Sequence, residues 1–534
     1  MTTVTPSLDV VTVGAAPLRP DDVVAVARHG ARVELDPAAL ERVAATRSLV
    51  EGLADDPQPH YGISTGFGAL ATTFIPRDRR MQLQASLIRS HAAGTGPEVE
   101  AEVVRALQLL RLQTLATGRT GVRPVVVETY AAMLNAGITP IVREYGSLGC
   151  SGDLAPLAHI ALAAMGEGDV RVIDVHNPGA SGEIVRAAEA LAAASVTPLE
   201  LREKEGLALI NGTDGMLGML LLAAHDLRML LDTADVAAAM SIESQLGTDA
   251  VFAADLMTLR PQTGQAASAA NLRALLADSA IMASHRDPAV CTRVQDAYSL
   301  RCSPQVHGAA RDTLEHASLI GSRELAAAID NPVITPDGRV ESNGNFHGAP
   351  VAYVLDFLAI AVADVASISE RRTDRALDPA RSNGLPPFLA HEAGVDSGLM
   401  IAQYAAAGIV SELKRLAAPA SVDSIPSSAM QEDHVSMGWA AARKLRRAID
   451  GLARVLAIEL VTAARALDLR APLDPAPATA AARDLLRTRV GGPGADSFLS
   501  PDIEAATELV AAGAIARAAF DAAPAHDTPE EQSR

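Results

Sequence analysis

Aromatic residues are scarce in this chain: Phe, Tyr and Trp make up 3% of 534 residues, with a single Trp. A core with so few rings must be filled by aliphatic side chains, and a hydrophobic share of 49% supplies them. Positive charge is also in deficit, with 45 Lys and Arg against 64 Asp and Glu and a formal net charge of −19. That balance repels phosphate backbones and argues against nucleic acid as a partner. The three cysteines, Cys150, Cys291 and Cys302, are too few for a disulfide framework and lack the paired spacing of a metal site. A reducing cytoplasm is the expected setting. The opening MTTVTPSLDV has neither the cationic start nor the apolar core of a secretion signal. Long apolar runs are interrupted, 207–223 by Asn211 and Asp214 and 351–363 by Asp356, so both read as buried helices rather than membrane spans.

What is present favours helix, because Ala, Leu, Arg and Glu lose little side-chain freedom there. No internal repeat is visible. A short strand is expected at 8–13, two amphipathic helices over 21–53, and helix over 79–118 with an interruption at Gly94–Pro97. Another helix is expected at 124–136, and one begins near Leu154 after a loop at 143–152. Residues 166–182, rich in Gly, Asp and Pro, read as an irregular surface excursion. After Pro198 long helices are expected at 202–225, 226–245, 306–328, 347–378, 397–418 and 434–468. In the last, Leu445, Ile449, Leu452 and Leu456 form a seam for burial against neighbouring helices. The fold class is therefore mostly α, and the polar, Pro-containing stretch 523–534 reads as a disordered tail.

Residues 146–159 read GSLGCSGDLAPLAH. In the tripeptide Cys150-Ser151-Gly152, the amide nitrogen of Gly152 can approach the carbonyl carbon of Cys150 because glycine has no Cβ in the way. Cyclisation, with loss of water from Ser151, would give a methylidene-imidazolone, an electrophile made from the chain itself. The bare string by itself reads more simply as an ordinary Gly/Ser/Asp turn. Tyr61 lies in HYGISTGFG, a Gly-rich loop with no following Lys-Ser/Thr to support phosphate binding. A phenol near pKa ~10 is a poor base unless its surroundings stabilise the phenolate. His91 repeats with Leu83 and Leu87 on an apolar helix face, where a satisfied core histidine is the plainer reading. Asn211, in GLALINGTDGM, is a buried amide that needs partners, since leaving it unpaired costs about 1–3 kcal/mol. Gln295, Tyr298 and Arg301 recur every third residue on one side of a turn or short helix. Arg301 offers a planar fork that suits a carboxylate, or an ordinary ion pair.

Taken together, these stretches resemble the aromatic amino acid ammonia-lyase and aminomutase family, whose members act on histidine, phenylalanine or tyrosine. The resemblance covers about residues 20–515, with motifs in at least six places. It implies a mostly helical fold, with an N-terminal globular part carrying the electrophile loop (1–200), a central long-helix bundle with a C-terminal cap (201–522) and the tail. It implies that Cys150-Ser151-Gly152 cyclises autocatalytically and that no metal or diffusible cofactor is needed. Most members have Ala where this chain has Cys150, a mild departure because that residue supplies mainly its carbonyl. By the same resemblance Tyr61 would remove the β-proton, Asn211 and Gln295 would position the adduct, Tyr298 would assist at the ring and Arg301 would hold the substrate carboxylate. Phe346, in NGNFHGAP, and Asn331, in the DNP motif, match residues near the ring. A homotetramer is implied, with each active site drawing on three subunits, and no membrane partner.

Residues 431–437, QEDHVSM, resemble the histidine-specific branch. Glu432 and His91 would then grip an imidazole, whose nitrogens need partners that a phenyl ring does not. Glu432 could instead satisfy a helix start. Ser90-His91 follows the same branch but also occurs in some tyrosine aminomutases. The expected reaction is L-histidine to trans-urocanate and ammonia, the first step of histidine degradation. The alternatives are a tyrosine or phenylalanine lyase, a 2,3-aminomutase, or a helical scaffold without catalysis.

Overall fold

The computed structural model describes residues 9–56, 58–175, 182–287 and 289–524. Its first part carries helices α1 (Pro20–Arg28), α2 (Pro37–Asp55), α3 (Arg80–His91), α4 (Ala101–Ala116), α5 (Pro124–Asn135), α6 (Leu154–Ala164) and α7 (Ala187–Ala193). There follow α8 (Glu205–Ile210), α9 (Asp214–Ser244), α10 (Ala254–Thr258), α11 (Thr263–Leu275), α12 (Ala280–Ala283) and α13 (Tyr298–Arg301). The later helices are α14 (Ser303–Leu325), α15 (Ala349–Leu377), α16 (Met400–Leu416), α17 (Gly438–Asp468), α18 (Pro477–Arg487), α19 (Leu499–Ala511) and α20 (Ala514–Ala522). Strands are short and peripheral. β1 (Val10–Val13) pairs in parallel with β2 (Arg32–Leu35). β4 (Ile138–Pro140), β6 (Asp169–Val172) and β7 (Glu183–Arg186) form an antiparallel trio, with β3 (Thr95–Glu98) on β5 (Arg143–Tyr145) and β8 (Val333–Ile334) on β9 (Val340–Glu341). The fold is mostly α, as the periodicity predicts.

Two expectations change. The helices expected at 202–225 and 226–245 are instead a short α8 and a 31-residue α9, broken at residues 211–213. The physical cause lies in Asp153, whose carboxylate accepts hydrogen bonds from Gly215 N and Met216 N, both at 2.9 Å, and so starts a new helix there. His225 and Asp226, where the break was expected, continue the helix, and Asp226 pairs with Arg28 and Arg446. The excursion at 166–182 contains β6, which pairs on both edges, while 176–181 lie outside the described residues. The expected tail lies outside them from 525 onward.

One continuous apolar cluster runs from Val11 to Ala519, built chiefly of Ala, Val and Leu. Its centre is the packing of α9, α14, α15 and α17, and Leu445, Ile449, Leu452 and Leu456 are all buried in it. Among the described residues α15 is the one helix long and apolar enough to cross a membrane. It lies mostly inside the bundle, and its Asp356 pairs with Lys444 at 2.6 Å. α9 and α15 run side by side in the same direction. Near their starts, Gly348 has room for a hydrogen only, because a Cβ there would meet the Met216 sulfur. Near their ends, Gln245 Nε2 donates to the Arg372 carbonyl at 3.2 Å. Between these two ties the helices span about 35–45 Å, at ~1.5 Å per residue.

Trp439, in the first turn of α17, is buried, and its indole N–H donates to the Glu144 carbonyl at 2.7 Å. Trp439→Phe leaves that carbonyl unpaired at a cost of about 1–3 kcal/mol, with a cavity term added. A clearly lower calorimetric melting temperature is expected. An unchanged one would mean that the bond does not contribute to stability.

Candidate active site

The stretch around the tripeptide is clamped at several points. Gly152 has φ +77°, and a Cβ there would overlap the Gly212 backbone, so only glycine fits this close approach. Asp153 N donates to the Gly212 carbonyl at 2.7 Å. Ser147 Oγ donates to Asp153 Oδ1 at 2.8 Å and accepts from Gly149 N at 3.1 Å. The Gly149 carbonyl accepts from Ser436 Oγ at 2.7 Å and from Gly348 N at 3.1 Å, and Met437 N donates to the Leu148 carbonyl at 2.9 Å. The start of α9, the start of α15 and the loop before α17 therefore all hold the tripeptide. Burial, with the charge of Asp214 adding to it, pushes the Asp153 carboxyl up to about 7 against the bonds from Met216, Ser147 and Gly215.

Beside this loop, the Asn211 side-chain amide donates to the Asn331 carbonyl at 3.0 Å, while its Oδ1 is buried and has no hydrogen-bond partner. Asn331 is fixed in turn: its Oδ1 accepts from Asn343 N at 3.0 Å, and the neighbouring Asp330 forms a fully buried ion pair with Lys204 at 2.5 Å. Arg111, fully buried on α4, donates to the carbonyls of Ala208 (3.0 Å), Asn211 (3.3 Å) and Ile329 (3.4 Å) and pairs with Asp214. It thus sets the backbone on both sides of Asn211. The sequence reading missed both Arg111 and Asp153. The available signal was an arginine within the apolar run LQLLRLQ and an aspartate directly after the tripeptide.

Tyr61 and His91 come from separate elements, and the charge of Glu432 reaches both. The Tyr61 hydroxyl accepts from Gly68 N at 3.2 Å, and its ring makes an edge contact with Phe67. Burial raises the phenol above its usual value and nearby Glu432 adds to this, against the Gly68 bond. His91 closes α3 with Nδ1 2.9 Å from the Leu87 carbonyl, which leaves Nε2 unengaged. Burial lowers its pKa below 6.5, against that bond and the pull of Glu432, and keeps the ring neutral at pH 7. Cys150 is pushed up to about 11, again by burial first and Glu432 second. The charge of Glu432 is thus felt at Tyr61, His91 and Cys150 alike.

Glu432 does not stand at a helix start, as one expectation had it. It closes a tight turn before α17, with Ser427 N on its carbonyl at 2.8 Å and Ser427 Oγ on Oε2 at 3.1 Å. Among the described residues no Lys, Arg or His forms an ion pair with it. Half-buried Phe346 precedes His347, whose ring stacks on His434 at 5.7 Å, so these two loops face each other.

Gln295, Tyr298 and Arg301 are not brought to this cluster within one chain. They lie at the opposite end of α9, where Thr248 N donates to Asp296 at 2.7 Å and Arg293 reaches the Leu246 carbonyl. Gln295 and Tyr298 are exposed, Tyr298 at 71%. The Arg301 guanidinium lies over the Tyr298 ring at 4.7 Å, and its Nε is buried with no partner. The two halves of the expected site are therefore separated by most of the length of α9.

The chain matches a family model described as aromatic amino acid lyase over residues 18–488. It is 62% identical to a Streptomyces coelicolor protein named histidine ammonia-lyase, across 95% of this chain and 98% of that one. Among solved structures, tyrosine aminomutase from Streptomyces globisporus matches with a TM-score of 0.90 at 36% identity, covering 97% of this chain and 99% of that one. Histidine ammonia-lyase from Trypanosoma cruzi matches with a TM-score of 0.87 at 37% identity, covering 98% and 100%.

Asp153 yields a pH test. Its carboxyl titrates at about 7 when folded against an ordinary 3.8, so between those values the folded chain holds a proton that the unfolded chain has released. The stability this proton contributes is complete below 3.8 and is lost as pH rises through about 7. Asp153→Asn stays neutral throughout. The stability of wild type minus that of the variant, from urea unfolding, is expected to fall between pH 4 and pH 8. A flat difference would show that the carboxyl is ionised across the whole range.

Proposed function

We infer that this chain, which belongs to the aromatic amino acid lyase family, removes ammonia from L-histidine to give trans-urocanate. The observation that carries the choice of substrate is Glu432, a carboxylate with no ion-pair partner among the described residues whose charge is felt at Tyr61, His91 and Cys150. An acid in that position would be costly beside a phenyl ring and is satisfied by an imidazole N–H. The 62% identity to a named histidine ammonia-lyase supports the same choice.

Cys150-Ser151-Gly152 fits a self-made methylidene-imidazolone. The close backbone approach at Gly152 leaves no room for a Cβ, and the buried Asn211 Oδ1 lacks any partner within the chain. In forming the ring, the Gly152 nitrogen bonds to the Cys150 carbonyl carbon, whose oxygen leaves as water. Ser151 then loses its hydroxyl and an α-hydrogen as a second water. Such a ring supplies an electrophile that turns a poor amine leaving group into a better one.

The chain's own side chains do the rest. Glu432 accepts from the imidazole and His91 presents Nε2 beside it. Asn211, held by Arg111 and Asn331, offers its free Oδ1 to the substrate's amino-acid end. Asn331 and Phe346 line the same space. Tyr61 takes the β-proton. Its raised pKa opposes this, and positive charge brought near the hydroxyl in the complete site would favour the phenolate.

Arg301, Tyr298 and Gln295 complete the site from a second copy of the chain. Supporting this are the exposed Tyr298, the unpartnered Arg301 Nε and the separation along α9. The exposed stripe of Tyr353, Phe357 and Ile360 on α15 gives such copies an apolar surface to pack on. This reading is consistent with the homotetramer that the family resemblance implies, with an N-terminal part at 1–200 and a helical part at 201–522. Three unbonded thiols suit a cytoplasmic setting.

Two measurements test the proposal. The intact mass of folded protein should fall two waters short of the encoded mass, with the deficit absent and turnover abolished in Ser151→Ala and both retained in Cys150→Ala. A full encoded mass in active wild type would sink the electrophile. In Glu432→Ala, histidine turnover should drop at least a hundredfold, about 2.7 kcal/mol, because a site built to hydrogen-bond its substrate loses most when a partner is removed. Any weak phenylalanine turnover should change little. Equal losses on both substrates would remove the basis for choosing histidine.

A further inference from the structure

At the end of α9 remote from the tripeptide, the apolar bundle contains a charged pair that the reaction described above does not use. Arg372 on α15 and Glu459 on α17 are both fully buried. The guanidinium grips the carboxylate with two nitrogens, Nε to Oε1 at 2.5 Å and Nη2 to Oε2 at 2.9 Å. Ser369 and Ser241 donate to the same carboxylate at 2.5 and 2.7 Å. One arm of the guanidinium remains, and it points out of the pair. Nη1 donates to Ser303 Oγ at 3.3 Å and to the Ser299 carbonyl at 3.4 Å, and Ser303 Oγ donates onward to the Leu300 carbonyl at 3.0 Å. Ser299 and Leu300 are the two residues between Tyr298 and Arg301.

A buried ion pair is a weak stabiliser, because the cost of desolvating both charges offsets their attraction, and a well-packed apolar pair often does as well. An apolar pair cannot hold a carbonyl. α13 needs such a hold, since it is a single turn of four residues in which Leu300 alone is buried. A helix that short does not persist on local propensity.

We propose that Arg372, fixed in place by Glu459, is a positioning residue for catalysis. Through Ser303 and Ser299 it sets the direction in which α13 presents Tyr298 and Arg301. This rests on the reading that α13 serves a site completed by another copy, so Arg372 acts on its neighbour's electrophile and leaves the electrophile of its own chain untouched.

The test uses the double variant Arg372→Met with Glu459→Met, which removes both charges at similar side-chain length, and Ser303→Ala, which removes only the relay. In both, the two-water mass deficit should be complete, because the tripeptide lies at the other end of α9. Histidine kcat/KM should fall at least tenfold, with kcat and KM both affected. Arg372→Lys, which keeps the charge but not the third arm, should behave like the double variant. Each chain is then co-expressed with Ser151→Ala under a different affinity tag, and mixed oligomers are purified through both tags. Activity should return well above either variant alone, because some sites then pair an intact tripeptide with an intact α13.

Arg301→Met mixed with Ser151→Ala is the control for the shared site. If that control recovers activity and the Arg372 and Ser303 mixtures do not, the positioning role is wrong and the shared site stands. Wild-type kinetics in Ser303→Ala and Arg372→Lys would also overturn it. If the control itself fails to recover, the shared-site reading falls and this proposal falls with it. Should the double variant not fold, Ser303→Ala and Arg372→Lys carry the same expectations.

Discussion

The structure depends on the bond between Asp153 and the start of α9. A carboxyl group buried among backbone N–H groups ties the residue that follows the tripeptide to the first turn of a 31-residue helix. That single tie fixes two things together. It brings Gly152 against Gly212 closely enough that no side chain fits between them, and it sets where α9 begins. Because α9 and α15 run together from there, the place where α13 emerges far along the bundle is set by the same bond.

Charge is used sparingly and in a consistent way. The chain carries a net charge of −19, and three of its buried ion pairs stand out: Arg111 with Asp214, Lys204 with Asp330, Arg372 with Glu459. Each pair lies beside a segment that bears a residue of the proposed site. Arg111 holds the backbone at Asn211, Asp330 neighbours Asn331, and Arg372 holds α13. Glu432 is a half-buried acid with no ion-pair partner among the described residues. These three pairs set backbone positions, and Glu432 is left for the substrate in the proposed reaction.

Much of this was legible in the sequence, for identifiable reasons. Asn211 interrupts an apolar helical run and Gly152 stands in a Gly-flanked turn, both visible without coordinates, whereas Tyr61 and Glu432 were legible through the resemblance of their stretches to the family. The central helices were legible because their apolar period persists for many turns. The break between α8 and α9 was misplaced because its cause, Asp153, lies some sixty residues upstream, and local pattern carries no long-range capping. Arg111 was invisible for a related reason: an arginine in a helix reads as solvated until the helix is known to be buried on all sides. The distance between Arg301 and the tripeptide could not be read from spacing at all, because it depends on α9 and α15 running parallel for their full length.

The scarcity of aromatic rings has an optical consequence. Trp439, the only Trp, packs its six-membered ring into the space that a side chain at Gly215 would fill, and Gly215 is one of the two residues whose N–H groups Asp153 holds. With just six tyrosines besides, the chain absorbs little near-ultraviolet light of its own, so a ring formed at residues 150–152 has an unusually quiet background. All the indole emission of the protein originates a few ångströms from the Asp153 carboxyl. The indole fluorescence of the unlabelled protein, excited at wavelengths where tyrosine does not absorb, therefore reports on one place, the joint between the tripeptide and the helix bundle.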